Sequence, residues 1–141
     1  MPTVGIPAGG FKTVGQIVGT NAIQFHSGQD GMAITIEMLS AHVSGAPVVD
    51  HDGTYVGFIS EVDILTALAG GHDLNRLTAE QLMVKNPISV RKSTPIAEAI
   101  QIMADKHLLN LPVEENGRVT YSVTRHDLLR ASVGMPVDIE E

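Results

Sequence analysis

Slide the 141-residue chain along itself by 65 positions and Thr13 meets Thr78, Gln16 meets Gln81, Asn21 meets Asn86 and Ile23 meets Ile88. Without a gap, Met38 then meets Met103, His42 meets His107 and Pro47-Val48 meets Pro112-Val113. One residue drops out in the following turn. At a spacing of 64, Gly53 meets Gly117, Asp63 meets Asp127, Leu65 meets Leu129 and Ala67 meets Ala131. A match of this length, broken once and in a turn, marks a duplication, so whatever one copy folds into the other must also adopt.

Each copy reads as helix, strand, helix, strand, strand, helix. A short helix ("TVGQIV" or "TAEQLM") leads into a brief strand ("AIQF" or "PISV"). In "TPIAEAIQIMADKHL" the residues Ile96, Ile100, Met103 and Leu108 fall near one helical face. Thr94-Pro95 suits its start, as a cap followed by a first-turn proline. Its counterpart "DGMAITIEMLSAHV" is a weaker helix former, with Gly31 and β-branched residues. Two strands follow, "APVVD" and "TYVGFIS" around His51-Asp52-Gly53, or "LPVEE" and "RVTYSV" around Asn116-Gly117. Asp-Gly and Asn-Gly between apolar runs are hairpin signals. "EVDILTALA" and "RHDLLRAS" close the copies as helices.

Neither copy, at about 55 residues, closes a core alone. The expected architecture is therefore α/β (α+β), two repeats packed sheet on sheet with pseudo-two-fold symmetry. The boundaries are a flexible N-terminus at 1–11, a first repeat at 12–69, a linker at 70–76, a second repeat at 77–132 and an acidic tail at 133–141.

With 43% apolar and 18% charged residues the chain is a folding one. Aromatics are few (three Phe, two Tyr, no Trp), which leaves the core to aliphatic residues and Met. A formal charge of −7 disfavours non-specific nucleic-acid binding and anionic membrane surfaces. The absence of cysteine excludes disulfides, thiolate catalysis and Cys-ligated zinc. No signal-peptide pattern or long apolar span is read, so the expected location is cytoplasmic.

The stretches "SGAPVVDHDGTYVGFISEVDIL" and "LNLPVEENGRVTYSVTRHDLL" resemble tandem cystathionine-β-synthase-type domains, known as CBS domain pairs. The resemblance rests on a Pro-Val strand and a hairpin. These are followed by Gly, an apolar residue, any residue, Ser or Thr, two residues and Asp. The first copy matches through Gly57, Ser60 and Asp63; the second keeps Thr124 and Asp127 but has Tyr121 for Gly. The likeness covers about residues 12–132 and implies a stand-alone regulatory module without catalysis. Such a module binds AMP, ADP, ATP or S-adenosylmethionine and forms homodimers.

The resemblance also implies composite sites. One combines Ile23, Ser44, Gly45 and Ala46 with Thr124, Arg125 and Asp127; the other combines Ile88, Leu109, Asn110 and Leu111 with Ser60 and Asp63. In chemical terms a helix start offers unpaired N–H groups and partial positive charge to a phosphate, and a hydroxyl there adds a donor. An Asp, repelled by phosphate, suits ribose hydroxyls, while Ile, Ala and Leu suit an adenine ring. Arg125 and His126 favour phosphate beside Thr124, whereas Glu61 opposes it beside Ser60.

Ser-x-x-Asp is also an ordinary helix start, a cap with an acid in the first turn, and the two roles are compatible. The six histidines show no metal-ligand spacing; His42 and His107 fall near helix ends. Met32, Met38, Met83 and Met103 read as gap-fillers. With one acid per site and no base, nucleophile or metal cluster, an enzyme is not expected. A sensor and a non-binding dimerisation or assembly module of the same fold remain the two readings. The ligand's phosphate count and the regulated partner are not encoded legibly.

Overall fold

The computed structural model describes residues 10–134 apart from 18, 20 and 86. The expected flexible ends therefore lie almost wholly outside the described residues. The elements are a 3-10 turn Val14–Gln16, β1 Phe25–His26, α1 Gly31–Ala41, β2 Gly45–Val49, β3 Tyr55–Ser60 and α2 Glu61–Ala69. A second 3-10 turn, Leu74–Arg76, leads to α3 Ala79–Leu82, α4 Ile96–Lys106, β4 Asn110–Glu115, β5 Arg118–Thr124 and α5 Arg125–Ser132.

The chain forms two compact units. The first-repeat unit comprises residues 23–87 with 117–119; the second-repeat unit comprises residues 88–116 and 120–134 together with 10–22. Each unit thus takes its short leading helix from outside its own repeat. Val14 and Ile17 are buried in the core made by Val90, Ile96, Met103, Leu111 and Val123. Ala79 and Leu82 are buried with Phe25, Ile34, Met38, Val48 and Ile59. Both leading helices start alike. Gln16 Oε1 accepts from Lys12 N (2.6 Å) and Thr13 N (3.1 Å), and Gln81 Oε1 accepts from Thr78 N (2.9 Å). Thr-x-x-Gln is a capping signature legible in the sequence.

In the first-repeat unit the sheet runs β1-β2-β3, with β1 parallel and β3 antiparallel to β2. Gly45 opposes Ser60, and the register shifts at Val48/Val49. All five residues of β2 are buried, so the strand is covered on both faces. In the second-repeat unit β4 pairs with β5 across Asn116-Gly117, whose φ angles of 54° and 81° fit a type I′ turn.

Three local expectations need correction. "PISV" forms no strand: its pairing is a single parallel bridge, Val90 with Val113. Thr94 does not cap α4. Its Oγ1 accepts from Arg91 N (2.9 Å) in the preceding loop, which leaves Pro95 in the cap position and Ile96 as the first helical residue. In α4 the buried face is Ile96, Ala99 and Met103; Ile100 is 42% exposed. Of the methionines, Met38 and Met103 are core residues, while Met32 and Met83 pack partly buried against the first-repeat core.

His42 and His107 end α1 and α4 in the left-handed conformation, at φ 56° and 55°. Glycine usually fills that position. Both copies therefore hold a strained residue at the same place. Among the described residues no helix is long and apolar enough to cross a membrane.

Candidate functional site

The two hydroxyl–carboxylate pairs sit where an antiparallel hairpin turns into a helix. In the first-repeat unit Ser60 ends β3 and caps α2, with Asp63 N donating to Ser60 Oγ at 3.3 Å. Asp63 returns the bond. Its Oδ2 accepts from Ser60 N at 2.8 Å and from Ser60 Oγ at 3.0 Å. In the second-repeat unit Asp127 N donates to Thr124 Oγ1 (3.1 Å) and Thr124 N donates to Asp127 Oδ2 (3.0 Å). These are reciprocal capping boxes closed by Asp, where Glu or Gln is more usual.

The box uses one oxygen of each carboxylate. Oδ1 of Asp63 and of Asp127 accepts no hydrogen bond among the described residues. The copies differ in the hydroxyl. Ser60 Oγ donates to its Asp, whereas the Thr124 hydroxyl proton has no such bond. Capping is therefore real at both positions, and it leaves each Asp a further acceptor and Thr124 a further donor.

Within each unit the segment ahead of Pro-Val lies beside this box. Glu61 N donates to Ser44 O (3.0 Å) and Arg125 N to Leu109 O (3.3 Å). Ser44, Gly45 and Ala46 are thus brought beside Ser60 and Asp63, and Leu109, Asn110 and Leu111 beside Thr124 and Asp127. Ala46 and Leu111 are fully buried, while Ile23 and Ile88 pack partly buried against their own units' cores. Asp63 also opens on a cavity of about 500 Å³ with Thr66, Ala67, Gly70, His72 and Gln81. Arg125 lines a groove of about 410 Å³ between α4 and α5, with Ile100, Leu109 and Leu129.

The two units differ in what surrounds these boxes. Asn110, Ser122 and Asp127 are the buried polar side chains among the described residues, and all three lie in the second-repeat unit. At the positions equivalent to Asn110 and Ser122 the first copy has Gly45 and Phe58. The Phe58 ring lies against Gly45, where an added Cβ would stand 2.7 Å from Phe58 Cε1. The second copy thus exchanges a phenyl-on-glycine contact for a carboxamide and a hydroxyl. Ser122 Oγ is buried without a hydrogen-bond partner among the described residues. Comparing the copies position by position, rather than searching for motifs, would have found this difference in the sequence.

Tyr121 takes the place of Gly57. Met83 Sδ packs where a Cβ on Gly57 would lie, and Tyr121 lies over Gly19 in the same way. Its Oη donates to Val14 O at 3.2 Å. Tyr121 thus packs, partly buried, against the second-repeat core, and its phenol is pushed above its ordinary pKa by burial and then by the charges of Glu115 and Asp127.

A CBS domain model matches residues 14–70 and 79–134. The chain belongs to the CBS domain family. Among relatives, the Bacillus subtilis (strain 168) protein YlbB is 32% identical over 94 residues, 66% of this chain and 64% of that one. Arabinose 5-phosphate isomerase KdsD of Pseudomonas aeruginosa is 32% identical over 99 residues, 70% of this chain but 30% of the isomerase. The chain thus spans under two thirds of the length of either relative. Two solved CBS structures superpose closely. CBSX2 in complex with AMP is 25% identical, with a TM-score of 0.74, covering 88% of this chain and 97% of CBSX2. The CBS pair of MJ0100, in complex with 5′-methylthioadenosine and S-adenosyl-L-methionine, is 28% identical, with a TM-score of 0.76, covering 88% and 98%. The mixed α/β fold and the tandem CBS repeats agree with the sequence reading.

Proposed function

We propose that the chain is a cytoplasmic, non-catalytic regulatory module that binds an adenosyl ligand. AMP, ADP and ATP are the leading candidates, with S-adenosylmethionine next. Thr124, Arg125 and Asp127 serve one ligand with Ile23, Ser44, Gly45 and Ala46. Ser60 and Asp63 serve a second with Ile88, Leu109, Asn110 and Leu111. Binding is relayed through the packing of a homodimer or through contact with a regulated protein.

The observation that carries this reading is the half-used carboxylate at each hairpin-to-helix junction. One oxygen holds the helix start, and the other is an acceptor suited to a ribose hydroxyl. The helix N-terminus beside it suits a phosphate. The relatives lend support: CBSX2 is complexed with AMP, and MJ0100 with two adenosyl compounds. Of the two sites, the one at Thr124 has the uncommitted hydroxyl and the adjacent Arg125, and we assign it the tighter binding of phosphorylated ligands.

Titration calorimetry with AMP, ADP, ATP and S-adenosylmethionine tests the proposal, using wild type, Asp127→Asn and Asp63→Asn. Asn keeps an acceptor for the cap but removes the charge. Loss of affinity in a variant that keeps its thermal stability supports the assignment. Binding unchanged in both variants moves the site elsewhere, and no heat with any ligand removes adenylate sensing.

The non-binding assembly module is the second reading. Its support is the apolar surface of the helices: Ile36, Leu39, Val62, Leu65 and Leu129 are all more than half exposed.

A further inference from the structure

The two units carry very different charge. Residues 23–87 and 117–119 hold eight Asp and Glu against three cations, Arg76, Lys85 and Arg118, a formal −5. Residues 10–22, 88–116 and 120–134 hold six Lys and Arg against five Asp and Glu, a formal +1. The contrast is sharpest at the two helix starts. Behind the Ser60 cap come Glu61 and Asp63 in the first turn of α2, a helix with no Lys or Arg. Behind the Thr124 cap come Arg125, His126 and Asp127 in the first turn of α5, with Arg130 in its last. A helix N-terminus attracts an anion through about half a unit of positive charge. Two carboxylates in the same turn more than offset it.

The cavity of about 500 Å³ onto which Asp63 opens agrees with that charge. Asp63 is the only Asp, Glu, Lys or Arg in its wall, which also holds Thr66, His72 and Gln81 over the apolar Leu77 and Leu82. His72 is set in place by the end of α2. Its N donates to Ala67 O (3.0 Å), and its ring lies over Gly70, where an added Cβ would stand 3.3 Å from Cδ2. Gln81 Oε1 accepts from Thr78 N (2.9 Å), which leaves the amide Nε2 to donate elsewhere. The wall thus offers neutral donors for a carboxylate, one carboxylate for a cation and an aliphatic floor. It offers no Lys or Arg to a phosphate.

We infer that the site on Ser60 and Asp63 takes an adenosyl sulfonium, S-adenosylmethionine, while the site on Thr124 and Asp127 takes the adenosine phosphates. The inference rests on the adenosyl reading above and adds which charge each site accepts. With the ribose held by Asp63, the sulfonium at C5′ falls beside Asp63 and Glu61, where a phosphate would be repelled. The methionyl group is a zwitterion, and its carboxylate suits the donors of Thr66, His72 and Gln81. Glu61 and Arg125 are the first residues of α2 and α5, at equivalent positions of the two copies. They set the selectivity.

Calorimetry with AMP and S-adenosylmethionine, each alone and each with the other at saturation, tests the sorting. Wild type is compared with Asp63→Asn, Asp127→Asn, Glu61→Arg and His72→Ala. Sorted sites bind one equivalent of each ligand without competition. Asp63→Asn then weakens only S-adenosylmethionine, and Asp127→Asn only AMP, each by about tenfold. Glu61 and His72 are exposed, so their variants disturb no core. Glu61→Arg lowers S-adenosylmethionine affinity several-fold and admits a second AMP; His72→Ala weakens S-adenosylmethionine several-fold and leaves AMP unchanged. Two equivalents of AMP in wild type, competition between the ligands, binding of only one of them, or S-adenosylmethionine lost through Asp127→Asn overturns the sorting and leaves adenosyl binding intact. No heat with either ligand removes the adenosyl reading itself, and the sorting with it.

Discussion

Tyr121 and Gly19 occupy one space between them: a Cβ on Gly19 would collide with the Cγ–Cδ2 edge of the Tyr121 ring, whose hydroxyl donates to Val14 O at 3.2 Å. In the other unit the roles are reversed, with Gly57 in the strand and Met83 in the segment that covers it. Gly19→Ala is expected to cost about 1–3 kcal/mol through overpacking. Combining it with Tyr121→Ala should make the two losses non-additive, because the clash disappears with the ring. Urea titrations of the two single variants and the double variant supply the cycle.

Tyr121 also sets an alkaline limit. Its folded pKa is raised above the ordinary 10.0, so the neutral phenol is favoured in the folded state. The stabilisation is complete below pH 10 and is lost as pH rises through the folded pKa. Unfolding free energy should therefore fall on the alkaline side of pH 10. Tyr121→Phe should flatten that fall, leaving Tyr55 as the only phenol to follow by tyrosinate absorbance.

The capping boxes predict matched losses. Ser60→Ala and Thr124→Ala should each lower stability by about 1 kcal/mol. They should differ toward a phosphorylated ligand, since only Thr124 has a hydroxyl not already donating to its Asp. Thermal melts with and without AMP separate the two effects.

His107 holds φ at 55° where glycine would do so without strain. His107→Gly, and equally His42→Gly, should raise stability by up to about 1 kcal/mol. Denaturant midpoints read this directly, and a loss would show that the imidazole makes a contact worth more than the strain.

Ser122 is buried with no partner for its hydroxyl among the described residues. Ser122→Ala should therefore leave stability unchanged or raise it by about 1 kcal/mol. Calorimetric melts of the unliganded protein give the sign.

Much of this fold is visible in the chain because the duplication lets each copy check the other. α2 and α5 run over "EVDILTALA" and "RHDLLRAS", the stretches read as closing helices, because a hydroxyl cap and an acid mark the start of each. The hairpins follow from Asp-Gly and Asn-Gly. Misreadings arose where a side chain had a second option. The Thr94 hydroxyl can serve the loop behind it or the helix ahead, and local pattern does not rank these. Ile100 fits a helical stripe by spacing, but the stripe is wider than the buried strip beneath it. The capping pairs were legible as residue types. The committed and uncommitted oxygens were not, because they depend on hydroxyl direction and distance. Asn110 is marked by the resemblance and Ser122 by no motif at all; the polarity they add to one unit appears only against Gly45 and Phe58.

The borrowing of a leading helix by each unit has a consequence for the newly made chain. Residues 23–87 carry nearly all of the first-repeat unit, so it can close while the second repeat is still being synthesised. Phe11, Val14 and Ile17 belong with Val90, Leu111, Val123 and Leu128, and cannot be buried until residues near 131 have emerged. Residues 11–17, made before the partners they pack with, are thus among the last to find their place. A chain cut at the 70–76 linker would yield two fragments, each missing a helix that the other carries.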